Sequence, residues 1–298
     1  MDYSKKKQQL LDKLEAATGI TFDITSSTLS DEEVCANLSD MLLHYNILDN
    51  KESFYTSFLQ GQLATEDITQ AIHKFHIDET SIRVLFLLES PHPYSSEVIK
   101  LLRSLLPNPT DVILEMDSTQ ILVIQQFSEA PDNEEISDLA HTFISAIETE
   151  AFASFKVAYD SATNNVFTLP SVYKDLVLCM KIGNIFLGNE QTYCFSELGL
   201  GRLLFNVPIA ECETYLNNQV DIDSLKSLDE ETLNTISAFF DNDLSIAETA
   251  RQLFLHRNTL IYRIEKFKDT TGLDIRKFSD AITCKIALMI IELLKTKN

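Results

Sequence analysis

The sequence predicts a multidomain α+β chain, with a helical N-terminal region over 1–80, a mixed α/β domain over 81–218 and an all-α region over 228–298. Three observations predict it. The chain has 298 residues, 45% of them apolar, enough for packed cores in about two domains at ~100 to 200 residues each. Apolar periodicity switches from helical spacing to short β-rich runs at Ser81, and back to purely helical spacing after Glu231. Charge is also unevenly spread: 24 Lys and Arg against 45 Asp and Glu give −21, of which residues 1–227 hold −20 (14 basic, 34 acidic) and Leu228 onward only −1 (ten basic, eleven acidic).

Each element follows from local pattern. Residues 3–17 read as a helix. From Thr28 a second helix is expected, with Ser30 and Glu33 as a capping box and Val34, Leu38, Met41, Leu42 and Ile47 at near-helical spacing. Two short helices hinged at Gly61 follow. IRVLFLLE from Ile82 is a compact apolar run closed by Pro91 and Pro93, hence a buried strand. SSEVIKLLRSLLP is an amphipathic helix with Val98, Leu101, Leu102 and Leu105 on one face. TDVILEMDSTQILVIQQF reads as a hairpin turning at Asp117 and Ser118. A helix over Glu134–Glu150, the strand KVAYDSA, a helix from Ser171, the short strand TYCFSEL and helices around Arg202 and Ile209 complete the domain. The order β-α-β-β-α-β, then α-β, is that of a ferredoxin-like split βαβ sheet. The polar stretch Leu216–Glu231 is expected to connect this domain to the helical end.

Several function classes fall away. A body at −20 repels nucleic acid and anionic membrane in general, and no apolar run reaches the ~18 to 20 residues of a membrane span. The charged N-terminus lacks a secretory pattern, so the chain is expected in the cytoplasm. Five cysteines at wide, irregular spacing (Cys35, Cys179, Cys194, Cys212, Cys284) suit apolar filling in a reducing compartment. No metal set, cofactor motif or catalytic constellation is expected: His73 and His76 lack a third ligand, ELGLG at Glu197–Gly201 lacks the GxGxxG frame, and no nucleophile elbow occurs.

The most specific stretch is SIAETARQLFLHRNTLIYRIEKF, Ser245–Phe267. Ser245 and Glu248 fit a capping box for a first helix that buries Ile246, Ala250 and Leu253. Phe254, Leu255 and His256 make the turn. A second helix buries Leu260, Ile264 and Phe267, and its other face is expected to carry Arg257, Asn258, Ile261, Tyr262, Arg263 and Lys266. Arg can bridge guanine O6 and N7, Asn can bridge adenine, and Lys, Tyr and Thr can grip phosphates. The geometry is that of a helix-turn-helix whose second helix reads the major groove. Within Arg251–Lys285, eight basic residues outnumber four acidic ones.

Leu244–Ile282, with HRNTLIYR at His256–Arg263 and TGLDIRKFSDA at Thr271–Ala281, resembles the C-terminal helix-turn-helix of the PucR-like and CdaR-like bacterial transcriptional regulators. The shorter core is similar to the Fis-type motif, in which a polar residue and Arg, here His256 and Arg257, open the reading helix. The resemblance implies transcription regulation through double-stranded DNA, with Ser245, Thr249, His256, Arg257, Asn258, Thr259, Tyr262, Arg263 and Lys266 as DNA-contacting residues. It also implies a degenerate GGDEF-like domain in the βαββαβ region. Active GGDEF cyclases place paired glycines and carboxylates on the hairpin turn; here the turn is EMDSTQ, without glycine, and Asp117 alone cannot hold two metals. The domain is therefore expected to be catalytically empty.

Two readings stay open. In one the chain is a sequence-specific regulator, expected as a homodimer or higher homo-oligomer because one helix reads few base pairs, with a small-molecule effector unassigned. In the other it is a metabolite- or protein-binding module whose helical end is a docking element, a reading the −20 body favours.

Overall fold

The amphipathic N-terminal segments fold as α1 (Tyr3–Thr18) and α2 (Asp31–Asp49), which pack against one another through Leu11, Leu14, Val34 and Leu38. In this computed structural model the described residues are 3–18, 20–22, 29–106, 108–188 and 190–297. Ser30 and Glu33 form the expected capping box at the start of α2. Met41 is half exposed, and the side chains of Leu42 and Ile47 lie outside the described residues. The next pair, α3 (Lys51–Leu59) and α4 (Thr65–Lys74), is hinged at Gly61, whose φ of +70° is one that side chains resist.

The sheet domain then unfolds in the expected order: β1 (Ile82–Glu89), α5 (Ser96–Leu105), β2 (Val112–Glu115), β3 (Gln120–Phe127), α6 (Asn133–Ala146), β4 (Lys156–Tyr159), α7 (Leu169–Phe186) and β5 (Thr192–Cys194). The strand order is β2-β3-β1-β4-β5, with antiparallel pairs up to β4 and β5 added parallel to β4. The first four strands thus have the split βαβ order. Val84–Leu88 are almost wholly buried, because β1 is central and both of its faces are covered. Val84, Phe86 and Leu88 meet Val98 and Leu102 of α5 and Ile136, Ala140 and Phe143 of α6. At the β2–β3 turn Asp117 Oδ1 accepts from Thr119 N–H at 2.7 Å, the Thr119 hydroxyl at 2.8 Å and Gln120 N–H at 2.9 Å. Those bonds hold its carboxyl below the usual range. The helix expected over Glu134–Glu150 instead ends at Ala146 and widens into a π turn over Ile147–Ala151.

Seven helices follow: α8 (Gly199–Phe205), α9 (Ile209–Gln219), α10 (Ile222–Lys226), α11 (Glu230–Asp241), α12 (Ile246–Gln252), α13 (Arg257–Thr271) and α14 (Phe278–Lys297). The stretch Leu216–Glu231, expected as a connector, is largely helical, and Leu216, Val220, Leu225 and Leu228 are buried with the helix-turn-helix residues in one core. Its polar residues are the outer faces of short helices. In α14 the buried stripe is Ala281, Cys284, Ala287, Ile290 and Leu293, whereas Ile282 is 44% exposed. Small side chains on this stripe let α14 approach its neighbours closely. At Gly201 an added Cβ would stand 2.9 Å from Phe186 and 3.2 Å from Ile182, so that glycine serves close packing.

The chain forms two compact units, Met1–Lys181 with Asn189–Glu197, and Ile182–Gly188 with Leu198–Asn298. The end of α7 thus belongs to the second unit. Among the described residues no helix is long and apolar enough to cross a membrane.

Candidate nucleic-acid interface

Within the second unit α11, α12 and α13 pack on one another. Ser245 caps α12, its hydroxyl accepting the Glu248 N–H at 3.3 Å. The reciprocal half of the expected capping box is not made. The Ser245 N–H donates to the Asn242 carbonyl at 2.8 Å, and Glu248 pairs with Arg251. Thr249, expected among the DNA contacts, is fully buried, and its hydroxyl donates to the Ser245 carbonyl at 2.8 Å. Its role is to seat α12.

The turn between α12 and α13 sets Phe254 at φ +52° and leaves it 96% exposed. A non-glycine residue in this left-handed region costs ~1 to 2 kcal/mol, and here no burial offsets it. Phe254→Gly is expected to stabilise the unit by ~0.5 to 1 kcal/mol, read as a higher urea midpoint at unchanged slope.

α13 begins at Arg257, where His256 caps it by accepting the Asn258 N–H on Nδ1 at 3.3 Å. Leu260, Ile264 and Phe267 are fully buried and anchor the helix in the core of α9–α14. At the N-terminal end Arg257, Asn258 and Thr259 are exposed, and Tyr262 is 68% exposed. Among the described residues their side chains make no hydrogen bond or ion pair. The first turn carries no acidic residue, so no carboxylate offsets the positive end of the helix dipole beside them.

Arg263 and Lys266 differ from that set by their partners. At ~100° per residue Lys266 lies within ~40° of Thr259 and Tyr262 on the helix, and Arg263 lies ~60° from Leu260. Both turn to α11. Arg263 Nη2 pairs with Glu231 at 2.7 Å and Nη1 donates to the buried Thr235 hydroxyl at 2.9 Å, while Lys266 pairs with Asp229. The hydrogen bond from Lys266 leads the causes that hold the Asp229 carboxyl well below its usual range. Arg263→Ala is therefore expected to cost ~1 kcal/mol of stability, since the exposed Glu231 contributes little and Thr235 loses a donor. The DNA base preference should not move, which selection with the variant would show.

The C-terminal half of α13 is locked down. Gly272 ends it at φ +76°, and Arg276 holds Glu265 at 2.5 Å and Asp274 at 2.7 Å. Hydrogen bonds from Arg276 bring the Asp274 carboxyl down to about 2. Arg251, in the last turn of α12, is also exposed, at 79%, and its one ion pair among the described residues is with Glu248.

Comparison with known proteins places this geometry. Residues 232–290 match the PucR C-terminal helix-turn-helix domain. The chain is 22% identical over 158 residues to the Purine catabolism regulatory protein of Bacillus subtilis, a match covering 51% of this chain and 30% of that protein. It is 21% identical over 302 residues to the Carbohydrate diacid regulator of Escherichia coli, covering 92% of this chain and 76% of that one. A solved structure, the Regulator of Polyketide Synthase Expression from Bifidobacterium adolescentis, aligns over 94% of this chain and 96% of its own at 16% identity with a TM-score of 0.37. The chain thus spans about a third of the first of these relatives and about three quarters of the second. Residues 232–290 are thus a PucR-type C-terminal helix-turn-helix domain, and the chain as a whole is similar to the purine catabolism and carbohydrate diacid regulators.

Proposed function

We propose that this chain is a sequence-specific DNA-binding transcriptional regulator that reads the major groove through the first turns of α13. The observation that carries the reading is the exposed set Arg257, Asn258, Thr259 and Tyr262, whose side chains make no hydrogen bond or ion pair among the described residues, on a helix anchored by Leu260, Ile264 and Phe267. Arg257 is matched to guanine O6 and N7, and Asn258 to adenine. Thr259 and Tyr262 supply hydroxyls for phosphate. Ser245 and His256, at the starts of α12 and α13, place helix N-termini toward the backbone. Thr249, Arg263 and Lys266 fall outside the reading set, being spent within the fold.

The regulator is proposed to act in the cytoplasm as a homodimer or higher homo-oligomer, since two recognition helices double a short site. The sheet domain is proposed to be GGDEF-like and without catalysis, which the commitment of Asp117 to its own turn supports. Selection from random duplexes with the full chain tests the central point. An enriched motif at low salt supports it, and none would return the chain to the reading as a binding module with a helical docking end.

A further inference from the structure

Beside the open edge of the sheet, α3, α5 and β2 enclose a cleft of about 610 Å³, within the size range of small-molecule sites. Its floor is apolar, from Ile99, Ile113 and Leu114, and its rim is charged, from Glu52, Arg103 and Glu115. Two of the polar residues that line it are already used: Asn50 Oδ1 accepts the Glu52 N–H at 2.7 Å, and the Thr56 hydroxyl donates to the Glu52 carbonyl at 3.0 Å.

Others are not. Ser57 is only 6% exposed and lines the cleft, and among the described residues its hydroxyl makes no hydrogen bond and stays open to solvent. Arg103 likewise makes no hydrogen bond among the described residues. Its nearest carboxylate, Glu52, stands 3.8 Å away with both side chains half exposed, too long for a close charge-assisted bond. Glu115 accepts the Tyr94 hydroxyl at 3.5 Å and keeps its second oxygen open, so the cleft offers the loosely paired Arg103 guanidinium and the Ser57 hydroxyl for an anion, two carboxylates for a cation, and an apolar floor between them.

We propose that this cleft is a binding site for a small zwitterion, an aliphatic α-amino acid. Its carboxylate meets Arg103 and the Ser57 hydroxyl, its ammonium meets Glu52 and Glu115, and its side chain lies on Ile99, Ile113 and Leu114. A simple carboxylate would leave the two glutamates facing unpaired ligand surface, and a simple amine would leave Arg103 and Ser57 unmet. Both charges are needed to satisfy the site. The assignment does not rest on the reading of DNA.

Calorimetry on the full chain without DNA tests it, with L-valine and L-leucine as probes and two single-charge relatives of leucine, isocaproate and isoamylamine, as comparisons. Saturable heat is expected from at least one amino acid, with neither single-charge relative approaching its affinity. Arg103→Gln and Glu115→Gln should each weaken that binding about 10- to 100-fold, the worth of a charge-assisted hydrogen bond. Ser57→Ala should weaken it less. Both charged residues are exposed, so their variants should melt with the parent, which separates lost binding from lost folding. The proposal is overturned if neither amino acid binds, if isocaproate or isoamylamine binds as well as leucine, or if Arg103→Gln binds unchanged.

Discussion

Arg257→Ala is expected to lose ~1 to 3 kcal/mol of affinity for the selected duplex, about 5- to 150-fold, and to lose it at one base position. The guanidinium is exposed at the start of α13 and has no ion-pair partner among the described residues. Removing it therefore disturbs nothing inside the protein, and the unfolding midpoint should stay within ~0.5 kcal/mol of the parent. A competition assay of variant and parent against duplexes changed one pair at a time reads the effect. A uniform loss across all sequences, with a shallower salt dependence, would instead make Arg257 a phosphate contact. No loss at all would remove α13 from the interface.

Phe267→Ala should act in the opposite manner. Phe267 is fully buried in a core shared by residues of α9 to α14, and deleting a buried Phe side chain costs ~3 to 5 kcal/mol. For a unit of roughly a hundred residues, whose whole stability is on the order of 5 to 15 kcal/mol, the melting temperature should fall by ~15 to 30 °C. DNA affinity measured well below that temperature should fall far less than for Arg257→Ala, because no group facing the groove has been removed. Denaturation monitored by circular dichroism beside binding at low temperature separates the two. A Phe267→Ala protein that melts with the parent would mean that α13 is not anchored by this stripe.

Much of this was legible in the residues because apolar period and burial agree where an element is covered on a defined face. β1, the β2–β3 hairpin, α5 and the buried stripe of α13 were readable for that reason. The pattern misleads where inner residues are small. α14 turns Ala281, Cys284 and Ala287 inward beside Ile290 and Leu293 and leaves Ile282 44% exposed, so size alone does not mark its inner face. It also misleads where a polar stretch is helical, as between Leu216 and Glu231, since short amphipathic helices show only a turn or two of period.

The candidate interface was half legible. The spacing of Arg257, Asn258 and Tyr262 was enough to place them outward. Arg263 and Lys266 were grouped with them by charge, and their engagement depends on Glu231 and Asp229, more than thirty residues earlier in the chain. A partner so distant in sequence leaves no local trace. Thr249 is the same lesson in a neutral residue, its hydroxyl turned back onto its own helix.

The division of the chain into units has a practical side. It passes from one unit to the other after Lys181, after Gly188 and after Glu197, so no single cut releases the helix-turn-helix unit whole. A fragment starting at Leu228 would forfeit Leu204, Cys212, Leu216, Val220 and Leu225 from its core. One starting at Gly199 would still lack Ile182 and Phe186, the side chains that face Gly201. Dissection of this protein by truncation would confuse damaged folding with lost recognition, and point substitutions in the intact chain are the sound way to take it apart.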